Sequence, residues 1–419
     1  MAEAQASRPP VVVVGGGIAG ASAAETLRRE GFDGRIVVVG DERALPYERP
    51  PLSKEFLLGA IPEAKVFLRA AEEYGAQDIE LRTGTRATRL DVAQRRVELA
   101  GGESIAYDRL LLATGSEPVR LHVPGADLPG IRYLRTLDDA RALAAEIASA
   151  RASGGRVVVV GAGFIGAEVA ADCRMLGLDV TLIEALPVPM LRALGAEMGG
   201  VFAELHRAHG VDLRLGEGVA AFRGAGRVEE VVTTSGARLG CAFAVVGVGV
   251  RPATEWLRDA GLTLENGVVV DCFCATTAPG VFAAGDVARW PYMMADATEP
   301  EMVRLEHWDN ALRQAEVAAR NMLGQQTPFA PTPYFWSDQY DWKAQYVGYA
   351  RTWERVVVRG RPEDGAFIAF YLTGGRICAA LAVNHVRELV PLKKLIGAAL
   401  DPARLADAGE DLRGLSRQR

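Results

Sequence analysis

The chain has 419 residues, and at roughly 150 residues per domain that length predicts two to three domains, not one small module. A hydrophobic fraction of 49% and a charged fraction of 24% exclude wholesale disorder, collagen and coiled coil. With 47 Lys plus Arg against 53 Asp plus Glu, the net charge of −6 argues against nucleic-acid binding through bulk charge.

The first long uncharged stretch, residues 9–24, is shorter than the roughly 18 apolar residues of a membrane span, and Gly15, Gly16, Gly17 and Gly20 interrupt it. No membrane association is expected. The opening MAEAQASRPP has Glu3 and no apolar run before Arg8, unlike a secretory or Arg-rich transit segment, so the expectation is a cytoplasmic protein. The cysteines Cys173, Cys241, Cys272, Cys274 and Cys378 are odd in number and form no C-x-x-C, which fits reduced thiols better than a disulfide framework.

In chain order, VVVVGGGIAGASAAETLRREGFDGRIVVVGDE from Val11 and VVVVGAGFIGAEVAADCRMLGLDVTLIEA from Val157 each read as buried strand, glycine turn, helix and second buried strand. Four consecutive Val are covered on both faces only in a parallel sheet flanked by helices, so each pattern predicts a β-α-β unit. After the first unit, Pro50 and Pro51 stiffen the approach to a short helix near Ser53. Strand patterns follow at residues 79–90, 95–99 and 110–115. After the second unit they recur at 211–215, 229–234, 242–252 and 280–286, before a helix at 309–323. A proline-rich linker at 325–333 leads to an aromatic cluster at 334–342 and strands at 344–349, 355–358, 367–372 and 376–383. A helical segment at 387–399 and a loosely packed tail of about twenty residues complete a third, α+β domain.

Gly15-x-Gly17-x-x-Gly20 is a dinucleotide fingerprint. Its first glycine permits the tight turn, its second lets a pyrophosphate approach the backbone, and its third lets helix and strand pack closely. Asp41, twenty-one residues on, is suited to accept hydrogen bonds from a ribose. Gly161-x-Gly163-x-x-Gly166 repeats the arrangement with Glu184 as the acid. Glu184 repels a 2′-phosphate and its neighbours Ala185, Leu186 and Pro187 offer no cation, which favours NADH over NADPH; Arg192, which a loop could return to the site, is the one residue against it. Two dinucleotide sites suit one tightly held and one exchanging cofactor, as in hydride transfer between nicotinamide and flavin.

With both fingerprints, PYERPPLSK, ATG, TTAPGVFAAGD, RLEHWDNALRQA and FWSDQYD, the chain resembles the FAD-dependent NADH:ferredoxin reductases of bacterial oxygenase systems, a group related to rubredoxin reductases and apoptosis-inducing flavoproteins. The resemblance implies an α/β fold: two Rossmann-like, glutathione-reductase-like dinucleotide-binding domains plus a C-terminal α+β domain. The FAD-binding domain is expected at residues 1–115 and 241–326, the NAD-binding domain at 116–240 and the C-terminal domain at 327–419.

The same resemblance implies that Gly15, Gly17 and Gly20 contact the FAD pyrophosphate and Asp41 its adenosine ribose. Arg49, Thr114 and Gly115 are expected along the FAD, and Asp286 at its ribityl chain. Lys54 is expected against the flavin ring, paired with Glu168 from the first turn of the second fingerprint helix, where a cation favours negative charge on the reduced ring. Glu306, His307, Trp308 and Trp336 are expected beside the flavin and nicotinamide, with Trp308 stacking on a ring. Read without the resemblance, Asp286 is a turn aspartate, Lys54 a solvated helix residue, Glu168 a complement to a helix N-terminus, and both tryptophans core aromatics.

The remaining signals are plain. Cys272 and Cys274 share one face of an expected strand, but no further Cys or His stands at zinc or iron–sulfur spacing, so no metal site is expected. His206 and His209, three apart on a helix, are read as exposed. No cysteine precedes Cys173, which excludes the early redox thiols of disulfide reductases and thiol-based NADH peroxidases. Electrons therefore leave by another route, and the resemblance implies a transient 2Fe–2S ferredoxin partner, with the reductase a monomer or weak homodimer. Relatives often carry a basic segment before R-x-E-x-W; here Asp296, Glu299 and Glu301 interrupt it and leave Arg304, with Arg313, Lys343, Lys393 and Lys394 as candidates for a replacement patch. The alternatives are a rubredoxin or small-molecule reductase for quinone or monodehydroascorbate, and a redox-sensing apoptosis-inducing-factor-like flavoprotein.

Overall fold

The computed structural model describes residues 9–294 and 297–417; the N-terminal octet and Asp296 lie outside the described residues. Two five-stranded sheets and their helices form the α/β part, and a five-stranded antiparallel sheet forms the C-terminal unit. This is the fold class expected from the sequence.

The first sheet runs Val281–Ala283, Arg109–Leu112, Val11–Val14, Ile36–Val39, Ile79–Arg82, with every pairing parallel. Val11–Val14 and Ile36–Val39 are buried at every position, because the helix Ile18–Arg29 covers one face and closes against the helix Trp308–Met322 through small residues such as Ala19, Ala23, Ala311 and Ala315. The second sheet runs Asp212–Leu215, Asp179–Glu184, Arg156–Val160, Phe243–Val246, Ile131–Arg132, again parallel. Each central strand ends in a glycine turn, at the carboxyl edge where open α/β sheets bind ligands.

Several expectations shift. Residues 79–90 are two strands, Ile79–Arg82 in the first sheet and Ala87–Asp91 in a small antiparallel sheet, because the chain turns at Gly84 with positive φ. Residues 242–252 also split. Phe243–Val246 hydrogen-bonds to Arg156–Val160 in the second sheet, whereas 241–326 is expected in the first unit. Only then does the chain cross back, through Val250–Pro252 paired with Ser116–Pro118. The helix expected near Ser53 is a 3₁₀ turn, Pro50–Ser53, that ends there. Cys272 and Cys274 lie in a turn, not on a strand, and Cys274 has a φ of 62°.

In the C-terminal unit the strand order is Tyr334–Gln339, Trp342–Gly348, Arg376–Val383, Ala366–Thr373, Arg355–Arg361. The aromatic cluster is thus an edge strand. Both faces of this sheet are buried. Phe367, Ala369 and Tyr371 meet Leu194, Met198 and Phe202 of the helix Leu191–Ala208, while Ile368, Phe370 and Leu372 meet Leu405, Leu412 and Leu415. The last residues are therefore not a loose tail: Pro402–Ala406 and Leu412–Arg417 are short helices that cover the sheet. His206 is likewise not exposed. It is fully buried between Tyr340 and Gln339, at 3.0 and 3.1 Å, whereas His209 stays exposed and stacks on Tyr340. Among the described residues no helix is long and apolar enough to cross a membrane.

Candidate functional site

Both glycine turns open into one cavity of about 2030 Å³, roughly twice the upper end of about 1,000 Å³ for a single small-molecule site. Gly15, Gly17, Gly161 and Gly163 line it, as do Lys54, Glu168, Asp286, Glu306, His307, Trp308 and Trp336. No cysteine lines it among the described residues.

The glycines divide into two kinds. Gly15 and Gly161 have φ of 128° and 95°, and a Cβ there would lie 2.0 Å from the Ala113 carbonyl oxygen or 2.4 Å from that of Gly247. A Cβ on Gly20 or Gly166 would lie 1.9 Å from the carbonyl oxygen of Gly15 or Gly161. Those four glycines are demanded by the fold itself. Gly17 and Gly163 have nothing within 4 Å of an added Cβ, so the space in front of them is free for a ligand's phosphates, at the N-terminus of a helix.

Around the first turn, Arg49 donates to Glu42 at 2.7 Å, to the Tyr47 hydroxyl at 2.9 Å and to the Arg135 carbonyl at 2.5 Å. Arg135 pairs with Asp286 at 3.0 Å, and Ser116 donates to the same oxygen at 2.8 Å. Asp286 itself lies beyond the strand end, in the turn Gly285–Val287. Burial first, and the neighbouring Arg49 cation second, lower the pKa of the Arg135 guanidinium, which Asp286 partly offsets. Thr114 donates to the Ala253 carbonyl, and Gly115 abuts Arg135. Asp41 lines the cavity but is exposed and paired with Arg86 at 3.1 Å. Glu184 accepts from the amides of Ala162 at 2.7 Å and Leu186 at 2.9 Å, fixing the second turn; Arg192 is exposed on the same cavity wall.

Lys54 and Glu168 meet at 2.5 Å, with side chains 9% and 2% exposed. Ser53 donates to the same Glu168 oxygen and Ser337 to the other, at 2.5 and 2.7 Å. Three parts of the chain thus converge on one carboxylate. Glu168 is the fifth residue of the helix Phe164–Met175, hence in its second turn and not its first. Lys54 is not the solvated helix residue of the plain alternative.

Arg304, which also lines the cavity, donates to the Asp286 carbonyl and pairs with Glu306 at 2.7 Å, its side chain 9% exposed. It is a site residue, not a docking cation. Burial raises the Glu306 carboxyl and lowers His307 to about 4, so His307 is neutral at pH 7. Trp308 and Trp336 meet edge to face at 6.1 Å, and Tyr334 stacks beyond Trp336 with Lys393 over its ring. Arg304 Nε, His307 Nδ1 and Trp308 Nε1 are buried without partners among the described residues. Hydrogen-bonding ligand rings would satisfy them, and with the two cradles these residues fit FAD and a nicotinamide dinucleotide.

Sequence reasoning missed Arg135, Ser53, Ser337 and Asp172, which stands behind Glu168. Ser53 adjoins Lys54 and Asp172 follows Glu168 by four residues, signals that were readable; Arg135 and Ser337 act across unit boundaries that no local pattern encodes.

The family model described as pyridine nucleotide-disulphide oxidoreductase matches residues 9–315, and the reductase C-terminal model matches residues 334–416. Rhodocoxin reductase of Rhodococcus erythropolis is 40% identical over 96% of this chain and 93% of its own length. The ferredoxin–NAD(+) reductase component of the anthranilate 1,2-dioxygenase system of Burkholderia cepacia is 41% identical over 96% and 98%. The covalent putidaredoxin reductase–putidaredoxin complex superposes with a TM-score of 0.92 at 33% identity, covering 98% of both chains. The ferredoxin reductase for the CYP199A2 system from Rhodopseudomonas palustris gives 0.92 at 35%, covering 98% and 100%. The chain belongs to the pyridine nucleotide-disulphide oxidoreductase family, among the FAD-dependent ferredoxin reductases of oxygenase systems.

Proposed function

We propose that this chain is an NADH-dependent ferredoxin reductase whose 2Fe–2S ferredoxin supplies a Rieske dioxygenase or haem monooxygenase. FAD, when bound, supplies the conversion of one hydride from NADH into two single electrons for the ferredoxin. The observation that carries the reading is the single cavity shared by two glycine cradles, with the Lys54–Glu168 pair on its wall and no thiol there among the described residues.

The FAD is held by Gly15, Gly17, Asp41, Arg49, Thr114, Gly115 and Asp286, with Gly20 shaping the turn and Arg135 holding Asp286, in a domain of residues 1–115 and about 247–326. NADH is held by Gly161, Gly163, Gly166 and Glu184 in a domain of about 116–246, and the C-terminal domain closes the cavity through residues such as Phe335, Trp336 and Tyr349. Lys54 presents its charge to the ring site, where the desolvated surroundings strengthen its attraction for negative charge. Glu168, Ser53 and Ser337 keep that ammonium from turning to solvent. Glu306, His307, Trp308 and Trp336 face the rings and exclude water. The scattered cysteines, with no C-x-x-C among them, suit a reducing cytoplasm, where the protein works as a monomer or weak homodimer.

The test is an anaerobic titration of the yellow protein with NADH and with NADPH, followed by cytochrome c reduction with and without added ferredoxin. Stoichiometric bleaching by NADH and ferredoxin-dependent turnover are expected. Turnover of a quinone at the same rate without ferredoxin would instead establish a small-molecule reductase.

A further inference from the structure

The Lys54–Glu168 pair has a second carboxyl behind it. Asp172 follows Glu168 by four residues on the helix Phe164–Met175, the spacing that stacks two side chains on one helix face. It is 4% exposed and does not line the cavity. Its Oδ2 has no hydrogen-bond partner among the described residues.

Glu168, Glu55 and Asp338 all oppose a negative charge at Asp172, and Lys54 favours one. Lys54 is already in contact with Glu168, Asp338 is paired with Lys343, and the adjoining Cys173 is a buried thiol. The cluster therefore holds one buried cation for two buried carboxyls. An ionised Asp172 would be a desolvated charge without its own counterion, an arrangement proteins avoid by neutralising the group. Burial first, and Glu168 second, push its carboxyl up to about 9, in the direction this geometry requires.

We propose that Asp172 is a positioning residue that stays protonated at neutral pH and so keeps the buried cluster at one positive and one negative charge, leaving Glu168 to hold Lys54 at the cavity wall. When the proton leaves to solvent, the cluster carries a net negative charge behind the ring site. That charge opposes negative charge on a bound ring and weakens what Lys54 contributes. The protonation follows from the packing alone; its consequence for FAD rests on the proposed function.

The experiment compares the purified wild-type protein with Asp172→Asn, which keeps the shape of the protonated acid and removes the proton. Denaturant unfolding is measured from about pH 4 to about pH 9. The folded wild type holds a proton that the unfolded chain, with an ordinary carboxyl, has lost. Its unfolding constant therefore rises with pH relative to that of the variant, by up to tenfold per pH unit. Parallel curves would overturn the protonation. Should the variant not fold, infrared spectra of the wild type decide: a buried protonated-carboxyl band present near pH 7 and fading as pH passes about 9 supports it, and absence near pH 7 overturns it. The midpoint potential of the bound FAD is then followed across the same alkaline range. It falls in the wild type relative to Asp172→Asn if the residue acts through Lys54. Diverging stabilities with parallel potentials would sink the positioning role while leaving the proton in place, and a protein that binds no FAD would sink the proposed function alone.

Discussion

The two glycine-turn units share one frame and differ in what their helices carry. Each has a twelve-residue helix, Ile18–Arg29 and Phe164–Met175, with its third glycine at the third position. The close approaches agree as well: a Cβ at Gly20 or Gly166 meets the carbonyl of the first glycine at the same 1.9 Å. Yet where the first helix has Ser22 and Thr26, the second has Glu168 and Asp172, all four at matching positions. The first helix faces Trp308–Met322 through alanines; the second packs on the 3₁₀ turn Pro50–Ser53 and on the strand Tyr334–Gln339. The cradle is set by glycine geometry, whereas the chemistry beside it is set by which helix face meets another unit.

The largest effects should come from the frame. Gly20→Ala and Gly166→Ala place a methyl inside a backbone carbonyl that cannot rotate away, and each should cost above about 4 kcal/mol, in the range reserved for severe strain. Gly17→Ala and Gly163→Ala should leave denaturant unfolding of the cofactor-free chain within about 0.5 kcal/mol of wild type, because nothing lies near the added carbon. They should differ in what they lose: Gly17→Ala lowers FAD occupancy, read from the visible spectrum, and Gly163→Ala keeps the yellow colour but raises KM for NADH. If both variants lost the same cofactor, the division of labour between the units would be wrong.

Next in size is the helix face. Glu168→Gln leaves Lys54 buried without an anion, and breaking a buried pair costs about 3–5 kcal/mol. The low end is expected, since Ser53 and Ser337 can still hydrogen-bond the amide. Ser22→Ala, at the matching position, should stay within about 0.5 kcal/mol. Equal losses measured by urea unfolding would mean that the pair adds nothing beyond the packing of its helix.

The third effect belongs to the second unit alone, which is anchored to the C-terminal sheet through His206. Nε2 donates to the Gln339 side-chain amide oxygen Oε1 and Nδ1 accepts from the Tyr340 hydroxyl, and burial lowers the imidazole from 6.5 to about 4. Between those values the unfolded chain binds a proton that the folded chain refuses, so stability present above pH 6.5 is lost as pH falls. By pH 5 the loss should reach about 2 kcal/mol. In His206→Asn this part of the acid limb should be missing; an unaltered limb would assign the acid sensitivity elsewhere.

Local patterns made the glycine cradles, the buried valine strands and the helix at 308–322 readable, because each is dictated by residues close in sequence. What stayed hidden depended on contacts between units. Phe243–Val246 is an apolar run that fits either sheet, and only its pairing with Arg156–Val160 decides. Residues 334–339 carry three aromatics in succession, which masks strand alternation, yet both faces of that edge strand are in use. Leu405, Leu412 and Leu415 sit in a charged, alanine-rich stretch whose apolar content is low until the sheet they cover is in place. Arg135 reaches Asp286 across 151 positions, a pairing that no motif announces.

The smallest expected effect separates the two acids at the carboxyl ends of the second strands, Asp41 two residues past Val39 and Glu184 the last residue of its strand. Asp41 is exposed and pairs with Arg86, while one oxygen of Glu184 holds the Ala162 amide of the second glycine turn and the other the Leu186 amide just past the strand. Asp41→Ser should therefore weaken FAD binding without disturbing the turn, whereas Glu184→Ser acts twice. It frees the amides of Ala162 and Leu186, and it removes the negative charge that opposes a 2′-phosphate while Arg192 remains on the same cavity wall. The ratio of kcat/KM for NADH over NADPH should fall about tenfold, equivalent to about 1.4 kcal/mol. Glu184→Ser combined with Arg192→Ala should recover part of that preference, because the cation that welcomes the phosphate is gone. A ratio that moves with Glu184 but is indifferent to Arg192 would place the discrimination wholly in the acid, and a ratio that moves with neither would remove it from this turn.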